Sequence, residues 1–140
     1  MRAVPNDNLL SANLIICESI LTESTGAKTA VRIVNFFAIP YAGNPLVRFF
    51  ALSLLTCKGP DASLQVAKVE MVEITSGVIV AEAPEFQFLY GFVDGVEQGA
   101  FSLSTEFNVD TSKVRVPAPY QIRLKLNGVV VAQTLLMLRR

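Results

Sequence analysis

The Asn127-Gly128 pair near the end of the chain constrains the fold more than any other feature, because it separates two apolar-rich segments. Both residues tolerate the positive φ angles of a type I′ turn, whose twist matches that of the strands it joins. Residues 119–126 largely alternate apolar and polar side chains, which is typical of a strand with one buried and one wet face. Residues 129–138 are apolar almost throughout, which predicts a strand covered on both faces. We therefore expect a closing β-hairpin that joins a sheet and packs on a second layer.

The other segments also have the periods of strands, and turn residues such as Gly, Pro, Asn and Ser separate them. The predicted strands span residues 12–21, 29–39, 46–57, 64–75, 78–83, 86–92 and 101–109. A helix is the alternative for residues 46–57, but flanking Pro and Gly and the aromatic content favour a strand. About eight strands with hairpin connections, in a chain of 140 residues, predict an all-β, single-domain antiparallel β-sandwich or a closed barrel.

The beginning of the chain bears on domain organisation and on location. Residues 1–11 show no period, so we expect an extended N-terminal arm before a sandwich domain at residues 12–140. Residues 9–17 resemble the end of a lipoprotein signal, but Ile16 stands where a small residue should precede the cysteine, and Asn13 interrupts the apolar core. No apolar run reaches the roughly 18 residues of a membrane helix. We expect no membrane partner and a cytoplasmic protein, or a virion protein if a phage encodes it.

The two cysteines, Cys17 and Cys57, lie in apolar, strand-like surroundings. Their spacing fits neither a metal-ligand pattern nor a redox Cys-x-x-Cys pair. In a reducing compartment such cysteines are usually small buried hydrophobic residues, and a single disulfide is the alternative.

The net charge is zero, but the charges are segregated along the chain. Residues 69–112 contain eight acids and no Lys or Arg, and residues 113–140 contain six bases and no acid. Cross-strand pairing between neighbouring strands is the favoured interpretation. The alternative is an acidic face and a basic face that meet between copies. The bases are not interleaved with stacking aromatics, so we expect no nucleic-acid partner.

The sequence contains no His, and so lacks the commonest general base, the commonest metal ligand and any Ser-His or Cys-His pair. Among the carboxylates, Glu70 and Glu73 fall on opposite faces of a strand, and Pro84 separates Glu82 from Glu85. Neither pair is aimed at one point. We therefore expect no catalytic residue, no cofactor and no metal, and the protein is not predicted to be an enzyme.

Aromatic side chains are the best candidates for a contact surface, because alternate positions of the segment 86–92 are aromatic. Core packing is the competing interpretation, since such residues fill many sandwiches. Aromatic side chains that face outward would need a cover. The candidate contact residues are Phe86, Phe88, Tyr90, Phe92 and Tyr41.

The order of these features resembles a family of functionally uncharacterised bacterial immunoglobulin-like β-sandwich proteins, known as a domain of unknown function. The similar segments are residues 20–34 with their turn, the hairpin at 73–82, and the closing segment 119–138, in which a Tyr strand, a Gly turn and an apolar strand follow one another. The resemblance covers residues 12–138. It implies an immunoglobulin-like sandwich and no activity, and it assigns no functional residue.

The apolar surplus of 51% hydrophobic residues, the segregated charge and the missing catalytic residues favour a structural or interaction protein. We expect it to act through protein contacts, as a homo-oligomer or as a subunit of a larger assembly such as a phage particle. The alternative is a module that binds a small ligand or a carbohydrate through Tyr41, Tyr90 and the loop around Asp94. The absence of Trp counts against a sugar ligand.

Overall fold

The computed structural model describes residues 6–40, 43, 45–58, 64–89, 91–92 and 98–140, with the backbone alone at 91 and 92. Within these ranges the chain forms eleven strands and no helix. The strands are β1 (Leu9–Thr22), β2 (Lys28–Ile33), β3 (Phe36–Ala38), β4 (Leu46–Lys58), β5 (Gln65–Glu73), β6 (Ile79–Glu82), β7 (Phe86–Phe88), β8 (Gly91–Phe92), β9 (Gln98–Asp110), β10 (Ala118–Leu126) and β11 (Val129–Arg139). The segment 46–57 is therefore a strand, as its flanking residues indicated.

The strands form two sheets that pack face to face as a β-sandwich. Sheet I has the order β2-β1-β4-β9-β8, and sheet II has the order β3-β11-β10-β5-β6, with β7 also pairing with β5. All pairs are antiparallel except β3 with β11. The predicted closing hairpin is β10–β11, and its turn residues Asn127 and Gly128 have φ angles of 52° and 81°. The single-domain β-sandwich expected from the strand pattern is confirmed.

The core lies between the inner faces of the two central strands. In β10, the alternate residues Tyr120, Ile122 and Leu124 are each 0% exposed. In β4, Phe49 and Ala51 are also 0% exposed and belong to the same buried cluster. Because side chains alternate across a strand, this burial also determines which residues face outward.

The predicted second strand, residues 29–39, is two strands in different sheets. β2 pairs with β1 in sheet I, and β3 then lies beside β11 in sheet II. The chain leaves the first sheet next to Arg32, whose φ of 54° departs from extended geometry. A similar division separates β7 from β8, which together replace the predicted strand at 86–92.

Two further expectations differ from the structure. The last strand is not covered on both faces, because Val130 and Leu135 are 39% and 45% exposed on the outer side of sheet II. The first strand begins at Leu9, so residues 9–11 belong to the sandwich rather than to an arm. Residues 1–5 lie outside the described part of the chain.

An amide cluster holds the beginning of the described chain against the closing turn. The Asn6 side chain donates to the Leu126 carbonyl at 2.9 Å, and the Asn127 amide donates to the Asn6 and Gln65 side-chain oxygens at 3.0 and 2.9 Å. The Asn127 side-chain oxygen accepts from the Val66 amide at 3.0 Å. Asn127 therefore forms the turn and also ties three segments together.

Tyr120 also makes a structural contact at the other end of β10. Its hydroxyl donates to the backbone carbonyl of Arg115, five residues earlier. This bond closes the loop between β9 and β10 onto the core, and it satisfies a hydroxyl on a side chain that is otherwise fully buried.

We predict that Tyr120→Phe destabilises the protein by about 1–2 kcal/mol, because it removes this bond and leaves the Arg115 carbonyl without its partner. The unfolding midpoint in urea at pH 7 measures the effect. An unchanged midpoint would show that the bond adds nothing to stability.

The same variant has a predicted pH dependence. Burial raises the pKa of the Tyr120 hydroxyl, so folding favours its protonated form. That contribution is full below about pH 10, the ordinary Tyr pKa, and is lost as the pH rises through the raised value. The stability difference between the wild type and Tyr120→Phe should therefore shrink above pH 10, and a difference that grows there would contradict this reasoning.

Candidate contact surface

The outer face of sheet I is apolar along three neighbouring strands. The strand register places Ile15 beside Leu52, and Cys17 beside both Phe50 and Ile33. These residues alternate with the core residues of β1 and β4 and therefore point away from sheet II. We call the following set the apolar face: Ile15, Cys17, Val31, Ile33, Phe50, Leu52 and Leu54.

The centre of the apolar face is dry, although no second layer among the described residues covers it. Leu52 is 5% exposed and Cys17 is 0% exposed, yet neither belongs to the core cluster between the sheets. Their neighbours on the same face shield them. Towards the margins, Leu54 is 43% exposed and Ile33 is 66% exposed. Apolar residues that are this exposed next to a dry centre are typical of a contact surface.

The rim of the apolar face is polar. Asn13 pairs with Leu54, and Ser104 pairs with Leu52, so amide and hydroxyl groups border the apolar residues. The charged residues on the outer side of β4 and β9 are Arg48, Lys58, Glu106 and Asp110, two of each sign, and Arg48 Nε lies 2.6 Å from Glu106 Oε1. The Arg48 guanidinium also lies 5.3 Å from the centre of the Phe50 ring. The apolar face therefore has an apolar centre and a polar rim, and the positive and negative charges of that rim are equal in number.

The outer face of sheet II is built differently, from ion pairs. Glu70 is 2% exposed, and its carboxylate lies 3.0 Å from Lys125 Nζ on the adjacent strand. Lys68 Nζ lies 2.9 Å from Glu82. Charged side chains thus cover the middle of this sheet with polar groups that water can solvate. The middle of this face is therefore polar, while Val130 and Leu135 of β11 are exposed beside it.

These contacts bear on the charge segregation along the sequence. Glu70 pairs with Lys125, and Glu73 lies 3.5 Å from Arg115. Both pairs join the acidic segment 69–112 to the basic segment 113–140. The favoured interpretation, cross-strand pairing, is confirmed for Glu70 and Lys125, whereas Arg115 lies in the loop before β10.

The predicted aromatic contact surface is partly core. Phe88 is 6% exposed, and its ring stacks on Phe101 of the other sheet at a centroid distance of 3.9 Å. Phe86 is 42% exposed and lies 5.6 Å from the same Phe101 ring. Core packing, the competing interpretation, is therefore right for Phe88, while Phe86 remains at the surface.

The side chains of the remaining aromatic candidates lie outside the described structure. Tyr41 and Tyr90 lie outside the described residues, as does the loop around Asp94. Phe92 is described by its backbone alone, as one of the two residues of β8. The structure therefore does not bring together the residues of the predicted ligand site.

Sequence reasoning missed the apolar face, although a signal was present. In β1 and β4 the apolar residues occupy both alternating phases, as Ile15 and Ile16 show. Such a pattern in residues 46–57 is consistent with a strand buried on both sides in the middle of a sandwich. Leu52 is indeed buried, but Leu54 is open to solvent. Two apolar phases in a strand indicate either two covered faces or one covered face and one contact face.

Metal-binding clusters and membrane helices were sought in the part of the chain that the structure describes. No group of three Cys, Asp or Glu side chains there could hold a metal ion. None of these residues forms a helix able to cross a membrane. Cys17 and Cys57 are both buried thiols, on opposite faces of sheet I.

We predict that Lys125→Met destabilises the protein by about 3 kcal/mol, because it leaves the buried Glu70 carboxylate without its cation. Lys68→Met is the matched control: Lys68 pairs with Glu82, which is 54% exposed, so its loss should lower stability much less than the loss of Lys125. The double variant Glu70→Met with Lys125→Met should recover most of the lost stability. Urea unfolding of the four proteins measures these differences, and equal losses for the two Lys variants would contradict the assignment.

We predict that neither cysteine reacts with a thiol reagent in the native protein at pH 8. Both side chains are 0% exposed, and burial raises the pKa of the Cys17 thiol, which reduces the reactive thiolate. Both should react once denaturant is added. Ser11→Cys, at an exposed position of β1, is the positive control and should react at once. Rapid native labelling of the wild type would show that the centre of the apolar face is open.

Comparisons with known proteins found structural similarity to solved structures. No protein-family model matches the chain, and no curated protein sequence matches it. Among solved structures, the chain is similar to the Pseudomonas fluorescens alkylpurine DNA glycosylase AlkC bound to DNA containing an abasic site analog, with a TM-score of 0.49 and 12% sequence identity. The similarity covers 91% of this chain and 30% of that chain, so this chain spans under a third of that protein's length. The resemblance to an uncharacterised bacterial sandwich family stays a prediction.

Proposed function

We propose that this protein is a non-catalytic subunit that acts through protein contacts, and that its apolar face binds the same face of a second copy. The observation that carries the proposal is the contrast between the two outer faces of the sandwich. Sheet II covers its outer face with ion pairs such as Glu70 with Lys125. Sheet I leaves Ile33 and Leu54 exposed around a dry centre.

A second copy suits this surface because the surface is self-complementary in charge. Its polar border is mainly amide and hydroxyl, and Arg48 and Glu106 cancel one another. Two copies related by a two-fold axis can therefore meet without placing an excess of like charge together. The flat packing of one sheet on another, about 10 Å apart, is a common solution for two apolar sheet faces.

The placement of the carboxylates supports a non-catalytic role. Glu70, Glu73, Glu82 and Glu106 each lie within 3.5 Å of a Lys or Arg nitrogen. Glu70 and Glu82 are opposite each other in the register of β5 with β6, but each has its own lysine, so these carboxylates hold strands together. The proposal therefore assigns them to stability.

We further propose that the sandwich is of the immunoglobulin type. In that fold strands A, B, E and D form one sheet in the order ABED, and C, F and G form the other. Taking β1, β4, β5, β8, β9, β10 and β11 as A to G reproduces both orders. The bond from the Tyr120 hydroxyl to Arg115, at the start of the F strand, corresponds to the tyrosine corner of such domains.

We predict that Leu54→Lys lowers the solution mass of the protein, because it places a charge in the apolar contact. Leu135→Lys is the matched control: Leu135 is 45% exposed on sheet II, against 43% for Leu54. Light scattering after gel filtration measures the mass, and circular dichroism verifies that both variants are folded. A wild-type monomer at every concentration, or an equal effect of the two variants, would overturn the proposed face-to-face contact.

A further inference from the structure

One edge of sheet I is long and open. β9 runs for thirteen residues and pairs with β4 along its whole length. On its other side, β8 pairs only with Gly99 and Ala100. Among the described residues, no strand lies beside β9 from Phe101 to Asp110. The backbone groups on that side are free to pair with another strand.

Two other strands also have open segments among the described residues, because β3 pairs only with residues 137–139 of β11 and β2 only with residues 17–22 of β1. The register of each of these two strands contains a bulge, between Val130 and Ala132 in β11 and between Leu9 and Ser11 in β1. The outermost strands are short. β2 has six residues, β3 three, β6 four and β7 three. The open part of β9 contains neither Lys nor Pro, its charged residues are Glu106 and Asp110, and its register with β4 is continuous, without a bulge. Such an edge is suited to strand addition.

Two open clefts lie along this edge, between β9 and sheet II. The first, of about 250 Å³, is lined on the β9 side by residues 103–106 and on the other side by residues 83–86. The second, of about 300 Å³, lies between Asn108, Val109 and Asp110 of β9 and the β6 residues Val80 and Ala81. An added strand would find main-chain partners on β9 and two clefts that could take alternate side chains.

One buried polar group at this edge lacks a partner. The Ser104 hydroxyl is shielded from solvent and makes no hydrogen bond in the described structure. Buried hydroxyls are nearly always satisfied. The hydroxyl belongs to the strand whose edge is open, and Ser104 lines the first cleft.

We propose that the open edge of β9 pairs with the β9 edge of a second copy, antiparallel about a two-fold axis at Thr105. This register pairs residues 101–109 and stops before Ala100, where β8 begins. It sets Leu103 opposite Phe107 of the second copy on the inner face. On the outer face it sets Ser104 opposite Glu106 of the second copy, whose carboxylate can accept a hydrogen bond from the unpaired hydroxyl.

The neighbouring registers are less favourable. An axis at Glu106 places two carboxylates directly opposite each other, which is destabilising in a sheet. An axis at Ser104 brings Asn108 opposite Ala100, an edge position that β8 already occupies. Only the axis at Thr105 uses the full open segment without either conflict.

This inference supplies a second interface beside the proposed face-to-face contact. One interface uses the outer side of sheet I and the other uses its edge, so the two can form together. Two different two-fold contacts on one chain build an assembly larger than a dimer. That outcome agrees with a role as a subunit of a larger assembly.

Engineered cysteines test the register. The axis places the two Thr105 residues opposite each other, at a Cα separation of about 4.5–5.5 Å, which suits a disulfide. Thr105→Cys should therefore form a covalent dimer under mild oxidation with oxidised glutathione. Ser102→Cys is the control on the same strand, because its two copies would lie about 20 Å apart, six residues at about 3.4 Å each. Non-reducing electrophoresis reads the result.

Thr105 is buried, so Thr105→Cys could prevent folding. A second variant tests the same register without changing a buried residue. Ser102→Cys combined with Asn108→Cys changes only outer-face residues, which are opposite each other across the axis. The combined variant should form a dimer, whereas each single change should not. Failure of a folded Thr105→Cys or of the combined variant to cross-link, or equal cross-linking of Ser102→Cys alone, would overturn the edge pairing.

The two proposals can fail separately. Adding Leu54→Lys to Thr105→Cys should leave the cross-link intact, because Leu54 lies on the face and not at the β9 edge. A cross-link lost with Leu54→Lys would mean that the edges meet only through the face contact, which contradicts an independent edge interface.

Discussion

The packing of β4 against β10 is the contact on which the rest of the structure depends. Phe49 and Ala51 on one strand, and Tyr120, Ile122 and Leu124 on the other, are all fully buried between the sheets. Each strand is central in its sheet. Because side chains alternate across a strand, the burial of these residues in the core places their neighbours on the outer faces of the sheets. The character of both outer faces follows from that division.

The two outer faces of the sandwich differ in polarity, and this difference supports the proposed contact through sheet I. Sheet II brings acids from the middle of the chain next to bases from its end, and even its most buried carboxylate, Glu70, has a cation at 3.0 Å. On the outer face of sheet I, the Arg48–Glu106 pair, with Lys58 and Asp110, borders an apolar surface. A polar face can stay wet without cost, while an exposed apolar face gains free energy when it is covered. The open edge of β9 belongs to the same sheet, so both proposed contacts use sheet I.

Local features of the fold could be predicted from the sequence, and features that depend on distant pairing could not. The turn at Asn127-Gly128 was predictable because the conformation of two adjacent residues determines it. The division of residues 29–39 was not, because β3 pairs with β11 about a hundred residues later. For the candidate site, the sequence shows that both alternating sets of side chains in β4 are largely apolar. Only the position of β4 in sheet I, with no described layer outside it, shows that Leu54 faces solvent while Leu55 faces the core.

Whether sheet I forms the contact surface is measured most directly by NMR of the protein without substitutions, from low to high concentration. The quantity measured is the accessibility of individual methyl groups to a soluble paramagnetic probe. We expect the methyl groups of Ile33 and Leu54 to be accessible when the protein is dilute and to become protected by a second copy when it is concentrated. Those of Val130 and Leu135, exposed on sheet II, should stay accessible throughout. Equal accessibility of the two faces at every concentration would contradict the claim that sheet I forms the contact surface.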